Sequence, residues 1–152
     1  MGVNSGRVVA GGLAAGVVMN VFDMVNYGVV LKTRMTADMN AVAAGLGDKM
    51  MAMSGSTTAV FVVLDLLFGI ALVWLYAAIR PRFGAGVRTA LMAGAFFWIL
   101  GLFFSAPWLM AGFYSSGTFI IASVVQLVNM LVAAAVGGMV YKEGPATAAA
   151  MA

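Results

Sequence analysis

The chain has no cysteine and no histidine among its 152 residues, and only 9% of them are charged. Without cysteine there is no disulfide, no thiol redox couple and no thiolate-held metal centre. Without histidine, both the usual haem ligand and the commonest general base are missing. Membrane cytochromes and quinone–disulfide enzymes are therefore disfavoured. No nucleophile–base pair and no metal-ligand set can be assembled from the remaining residues, so a non-enzymatic role without a cofactor is expected. The shortage of charge excludes an ordinary soluble domain, which carries about 25% charged residues. The net charge of +3 is small and spread over loops, which points to anionic lipid headgroups rather than nucleic acid.

What the sequence has instead is apolar length: 64% of residues are hydrophobic, with a mean hydropathy of +1.06. Four runs, Val8–Leu31, Ala59–Ile79, Thr89–Met110 and Phe119–Tyr141, reach the roughly 20 residues that a helix needs to cross a bilayer. They predict one integral membrane domain over 1–152. The expected fold is all-α, a four-helix transmembrane bundle with an amphipathic outer segment between the first and second spans. "AVA" at 41–43 has the form of a signal-peptide cleavage site. The apolar region before it is too long for a signal peptide and contains Asp23, so the first span is read as a retained helix.

Basic residues set the expected orientation. Arg7, Arg80, Arg82, Arg88 and Lys142 fall on the side of both termini, against Lys32, Arg34 and Lys49 on the other. This asymmetry predicts a multi-pass protein of the bacterial cytoplasmic (inner) membrane with both termini cytoplasmic. Trp74, Tyr76 and Tyr141 toward the inner side, and Trp108 and Tyr114 toward the outer, are placed for interfacial belts. In "RPRFGAGVR" (80–88), Pro81 is expected to stop the second span and Gly84 and Gly86 to turn the chain.

The least lipid-like stretch is "MNVFDMVNYG" at 19–28. At helical period Gly12, Gly16, Asn20, Asp23 and Tyr27 fall within one stripe of about 80°, with Asn26 just off its edge. The fourth span carries a similar stripe of Ala122, Gln126, Asn129, Ala133 and Gly137. The second span offers Asp65 and Gly69, and the third Gly94, Gly101 and Ser105. Counted from the outer ends of the spans, Asp23, Asp65 and Gln126 all lie roughly 9–12 Å deep, which predicts a single polar layer. An ionised carboxylate at such depth costs at least ~2.5 kcal/mol, and no Lys or Arg lies within a span to offset it. Two roles follow. Asn20, Asp23, Tyr27, Asp65, Gln126 and Asn129 form a proton or cation site, or they are hydrogen-bonding glue between helices.

Residues 32–58 are too long for a turn. Met35, Met39, Val42, Leu46, Met50 and Met53 share one helical face, Thr36 is placed to cap the segment, and Gly45 and Gly47 to bend or split it. Seven of the 13 methionines lie between Met19 and Met53. Thioethers suit Cu(I), but methionine without histidine or cysteine is better read as adaptable packing, and no metal site is assigned.

The runs "WLYAAIRPRFGAGVRTAL" (74–91), "GGLAAGVVMNV" (11–21) and "VYKEG" (140–144) resemble a family of small four-helix bacterial integral membrane proteins of uncharacterised function. That resemblance implies fold and membrane location and transfers no activity. The leading expectation is an accessory or self-associating subunit. It would pack into a homo-oligomer or larger membrane complex through Gly12, Gly16, Gly69, Gly94, Gly101, Ala133 and Gly137. The competing expectation is a proton- or cation-coupled small-solute carrier using Asp23 and Asp65.

Overall fold

Three of the long helices in this chain start at side-chain caps. Asn4, Ser54 and Ser115 each accept a hydrogen bond from the backbone N–H three residues on, at Arg7, Thr57 and Thr118. Such caps satisfy donors that an apolar surrounding would leave bare. A computed structural model of the chain describes residues 3–142, and these residues are all-helical. The elements are α1 (Ser5–Val25) followed by a π-helical turn (Asn26–Val30), α2 (Lys32–Val42), α3 (Leu46–Met51), α4 (Gly55–Phe83), α5 (Val87–Met110) and α6 (Ser116–Val140). Four helices, α1 with its π turn, α4, α5 and α6, are long and apolar enough to cross a membrane.

Three local expectations need correction. The first span does not run straight to Leu31: its last turn widens so that the Leu31 N–H reaches the Asn26 carbonyl at 2.7 Å. Such a turn accommodates one extra residue and re-aims the side chains around it. Second, Pro81 does not stop α4, which continues to Phe83 and ends at Gly84 with φ +87°. Proline removes one N–H and bends a helix, but here the turn beyond it is secured from elsewhere. The Thr89 hydroxyl donates to the Gly84 carbonyl at 2.8 Å, and the Gly86 N–H donates to the Tyr76 hydroxyl at 3.3 Å. Third, Thr36 caps nothing. It lies inside α2, and its hydroxyl donates back to the Lys32 carbonyl.

Around the bundle, α1 packs between α4 and α6, and α5 closes the ring opposite α1 by packing mainly on α6. Small residues bring the backbones together. A Cβ on Gly16 would stand 2.6 Å from Leu66 Cα, one on Gly94 2.7 Å from the Met130 carbonyl oxygen, and one on Gly12 would collide with Ile70. Gly69 is wedged against the Gly12 and Gly16 backbone, Gly137 against Val73 and Gly11, and Ala133 is fully buried. Gly101 alone of the predicted packing glycines has open space where its side chain would be.

The two ends of the bundle differ. At the end with the 84–86 turn, Tyr76 and Tyr141 meet edge to face at 5.8 Å, the Arg80 guanidinium lies 5.6 Å from the Tyr141 ring, and both tyrosines are 4% exposed. They plug the core rather than form a belt, whereas Trp74 is exposed on the surface of the bundle. At the opposite end, α2 and α3 fold back over the bundle, separated at Gly45 (φ +77°). Leu31, Met35 and Met39 are buried there with Leu46, Met51, Phe113 and Tyr114 packed against them. Met50 and Met53 leave the expected stripe and are exposed, because the chain turns at Gly45 and the helical phase does not carry across it, while Val42 is exposed at the very end of α2. Residues 143–144 of "VYKEG" lie outside the described residues.

Candidate functional site

Toward the α2 end, the bundle encloses a cavity of about 400 Å³ that opens to the outside. Asp23 and Tyr27 reach it from α1 and the π turn, Asp65 from α4, Gln126 from α6, and Met35 from α2. The other wall is α5, which contributes Trp98, Gly101, Ser105 and Trp108, with Tyr114 from the loop that follows.

The two carboxyls are held differently. Asn129, with no exposed surface, donates from Nδ2 to Asp23 Oδ1 at 3.0 Å, and Gln126 also turns toward this carboxyl. Asn129 Oδ1 and Gln126 Oε1 are buried without a hydrogen-bond partner among the described residues. Asp65 is about half-buried, and no described side chain bonds to it. An amide can donate to a carboxylate and, turned over, accept from a carboxylic acid. Asn129 and Gln126 therefore fit Asp23 in either protonation state. Among the described residues no Lys or Arg lines the cavity, so nothing fixed in its wall balances the two acids.

The predicted layer is staggered. Gly12 sits against Ile70, Gly16 against Leu66, and Asn20 against Val62, so α1 and α4 run antiparallel with Asp23 level with residue 59. Asp65 lies about six residues further along α4, roughly 9 Å along the axis. Depth counted from span ends missed this because the Ser54 cap starts α4 at Gly55 and because the glycine contacts, not the ends, set the register. Both carboxyls still open into the same cavity. Asn20 is not part of it. Its Nδ2 donates to the Gly16 carbonyl at 2.9 Å and across to the Val62 carbonyl at 3.3 Å, a tie between α1 and α4.

Sequence reasoning passed over the aromatic wall. Phe68, Trp98, Trp108, Tyr114 and Phe119 line the cavity, and they read in the sequence as ordinary apolar or interfacial residues. The only available signal was the density of aromatics around Ser105, between Phe96 and Trp108. Asn26, which the sequence places just off the edge of the polar stripe, is not part of the expected site. It is 1% exposed, at the start of the π turn, with both side-chain polar atoms unpartnered among the described residues. Burial pushes the Tyr114 phenol above its ordinary value, so it stays neutral, a hydroxyl donor at the rim.

Compared with family models, curated proteins and solved structures, the chain matches none.

Proposed function

We propose that this chain is a four-helix transmembrane bundle, capped on its outer side by α2 and α3, that works as a proton-coupled carrier of a small cationic solute through Asp23 and Asp65. The carrying observation is the open cavity that holds two acids and, among the described residues, no fixed cation. Burial of a carboxylate in hydrocarbon is expensive unless a proton or another cation neutralises it. Two acids without a resident partner create a demand for mobile positive charge, and the two-way amides around Asp23 let it change hands. Competition for these carboxylates would couple solute and proton. The groups facing Asp23 from neighbouring elements are Asp65, Tyr27 and Tyr114, none of them basic. Solute binding therefore weakens as pH falls and the acids fill with protons.

The accessory-subunit reading drew on small-residue faces seeking a partner. Gly12, Gly16, Gly69, Gly94, Ala133 and Gly137 have their partners within the chain, and this weighs toward the carrier. The five-to-three basic asymmetry supports a bacterial-type inner membrane with both termini cytoplasmic.

The test is proton flux in proteoliposomes under an imposed pH gradient, read with an enclosed pH dye after addition of a cation, sodium or benzyltrimethylammonium, for the protons to exchange against. Wild-type protein should dissipate the gradient, and Asp23→Asn should abolish the flux while retaining the folded helical spectrum. Equal flux from the variant, or none from wild type, would overturn the carrier. Stoichiometric co-purification of a larger membrane protein would favour the accessory role instead.

A further inference from the structure

We infer that the solute is an organic ammonium with an apolar or aromatic body, entering between α4 and α5. This deepens the carrier reading and rests on it. Three independent features of the cavity lead there.

The first is its size. About 400 Å³ lies within the range of small-molecule pockets, roughly 300–1,000 Å³, and is far more than a dehydrated inorganic ion fills. The second is the wall. A bare calcium or magnesium ion seeks six or more oxygens, and among the described residues no group of three His, Cys, Asp or Glu side chains converges. The wall opposite the acids is aromatic instead, with Trp98 and Trp108 from α5 and Tyr114 from the loop that follows it, while Phe68 stands one turn from Asp65 on α4. Aromatic faces attract cations, most strongly where water is excluded. Trp98 is held in place, since its indole N–H donates to the Ser123 carbonyl at 2.9 Å, so part of this wall is set before anything binds. Asp65, to which no described side chain hydrogen-bonds, is the carboxylate available to an ammonium head, while Asp23 is kept by its amides.

The third feature is the opening. Phe68 on α4 and Phe104 on α5 both line the cavity and are both exposed, 54% and 77%, on the outer surface of the bundle. The cavity therefore reaches the apolar surface where these two helices meet. An amphiphilic cation resting in a membrane would arrive at that side with its body in acyl chains and its charge toward the acids. A hydrated inorganic ion gains nothing from such a doorway.

The test uses the full chain in nanodiscs and follows binding by calorimetry and tryptophan fluorescence. The probe is benzyltrimethylammonium. Its comparators are neopentylbenzene, which has the same shape with carbon in place of the charged nitrogen, and sodium chloride. We expect saturable binding of the ammonium, at least about tenfold tighter than its uncharged isostere. Binding should be roughly tenfold weaker in Asp65→Asn and severalfold weaker in Trp108→Ala. The isostere comparison is made on wild-type protein and stands whether or not a variant folds. Equal binding of the uncharged isostere overturns the inference, because charge is then not read. Binding of sodium but not the ammonium, with proton flux intact, overturns it while leaving the carrier standing. Loss of proton flux as well removes both.

Discussion

Gly16 and Gly101 are both glycines within apolar helices, and the sequence gives both the same packing role. In the structure a Cβ on Gly16 meets Leu66 Cα at 2.6 Å and the Asp65 carbonyl oxygen at 2.8 Å, backbone that cannot swing aside. A Cβ on Gly101 meets nothing within 4 Å. Gly16→Ala should therefore force α1 and α4 apart and cost about 1–3 kcal/mol, the usual price of overpacking. Gly101→Ala should be neutral or slightly stabilising, since alanine is the better helix former. Thermal unfolding in one detergent compares the two directly, and equal midpoints would contradict the packing described. Residue types were legible here and partners were not. Small and polar residues mark interior faces, but whether Asn20 ties two helices or feeds a site depends on which carbonyl lies opposite. Val62, 42 positions away, supplies that answer.

At the scale of elements, α2 is the piece whose placement matters most, because Met35 closes one side of the cavity. It is held by Asp38, whose Oδ2 accepts from both the Ser115 N–H and the Ser115 hydroxyl at 2.9 Å. Desolvation opposes the charge on Asp38. Hydrogen bonds from Thr118 and Ser115, with the Arg34 charge beside it, prevail and hold its carboxyl below the ordinary value. A depressed acid stabilises the docked state above its unfolded pKa of about 3.9 and loses that contribution as pH falls through the lower docked value. The latch is thus fully set at neutral pH and released only in strong acid. Asp38→Ala should loosen the α2–α3 cap alone, raising amide exchange across residues 32–51 by about fivefold while α4 and α6 keep their protection. Unchanged exchange in that segment would show that Leu31, Met35 and Met39 suffice to hold it. The buried face of this segment was readable from its methionine spacing through Met35 and Met39 and no further. The π turn was not readable at all, because the weak helix formers of Asn26–Val30, with Gly28 and two valines, do not distinguish a widened turn from an ordinary fraying helix end.

For the whole molecule, the antiparallel ring gathers the start of α1, the 84–86 turn and the end of α6 at one end, and α2, α3 and the 111–115 loop at the other. The two ends carry different charge. Arg7, Arg80, Arg82, Arg88 and Lys142 lie at the first, while Lys32, Arg34 and Lys49 at the second are accompanied by Asp38 and Asp48. Because basic residues near span ends are retained on the cytoplasmic side, the proposed orientation puts the turn inside and the α2 cap outside. The natural absence of cysteine makes this testable with single substitutions at exposed positions. Ala85→Cys at the turn and Ala44→Cys between α2 and α3 both avoid the glycines whose positive φ would strain a side chain. In intact cells an impermeant maleimide should label the residue-44 cysteine and reach the residue-85 cysteine only after the membrane is opened. The reverse pattern would invert the protein and give the cavity a cytoplasmic cap. Labelling of both from one side would mean that the helices between them do not cross the bilayer, and the carrier reading would fall with the topology on which it depends.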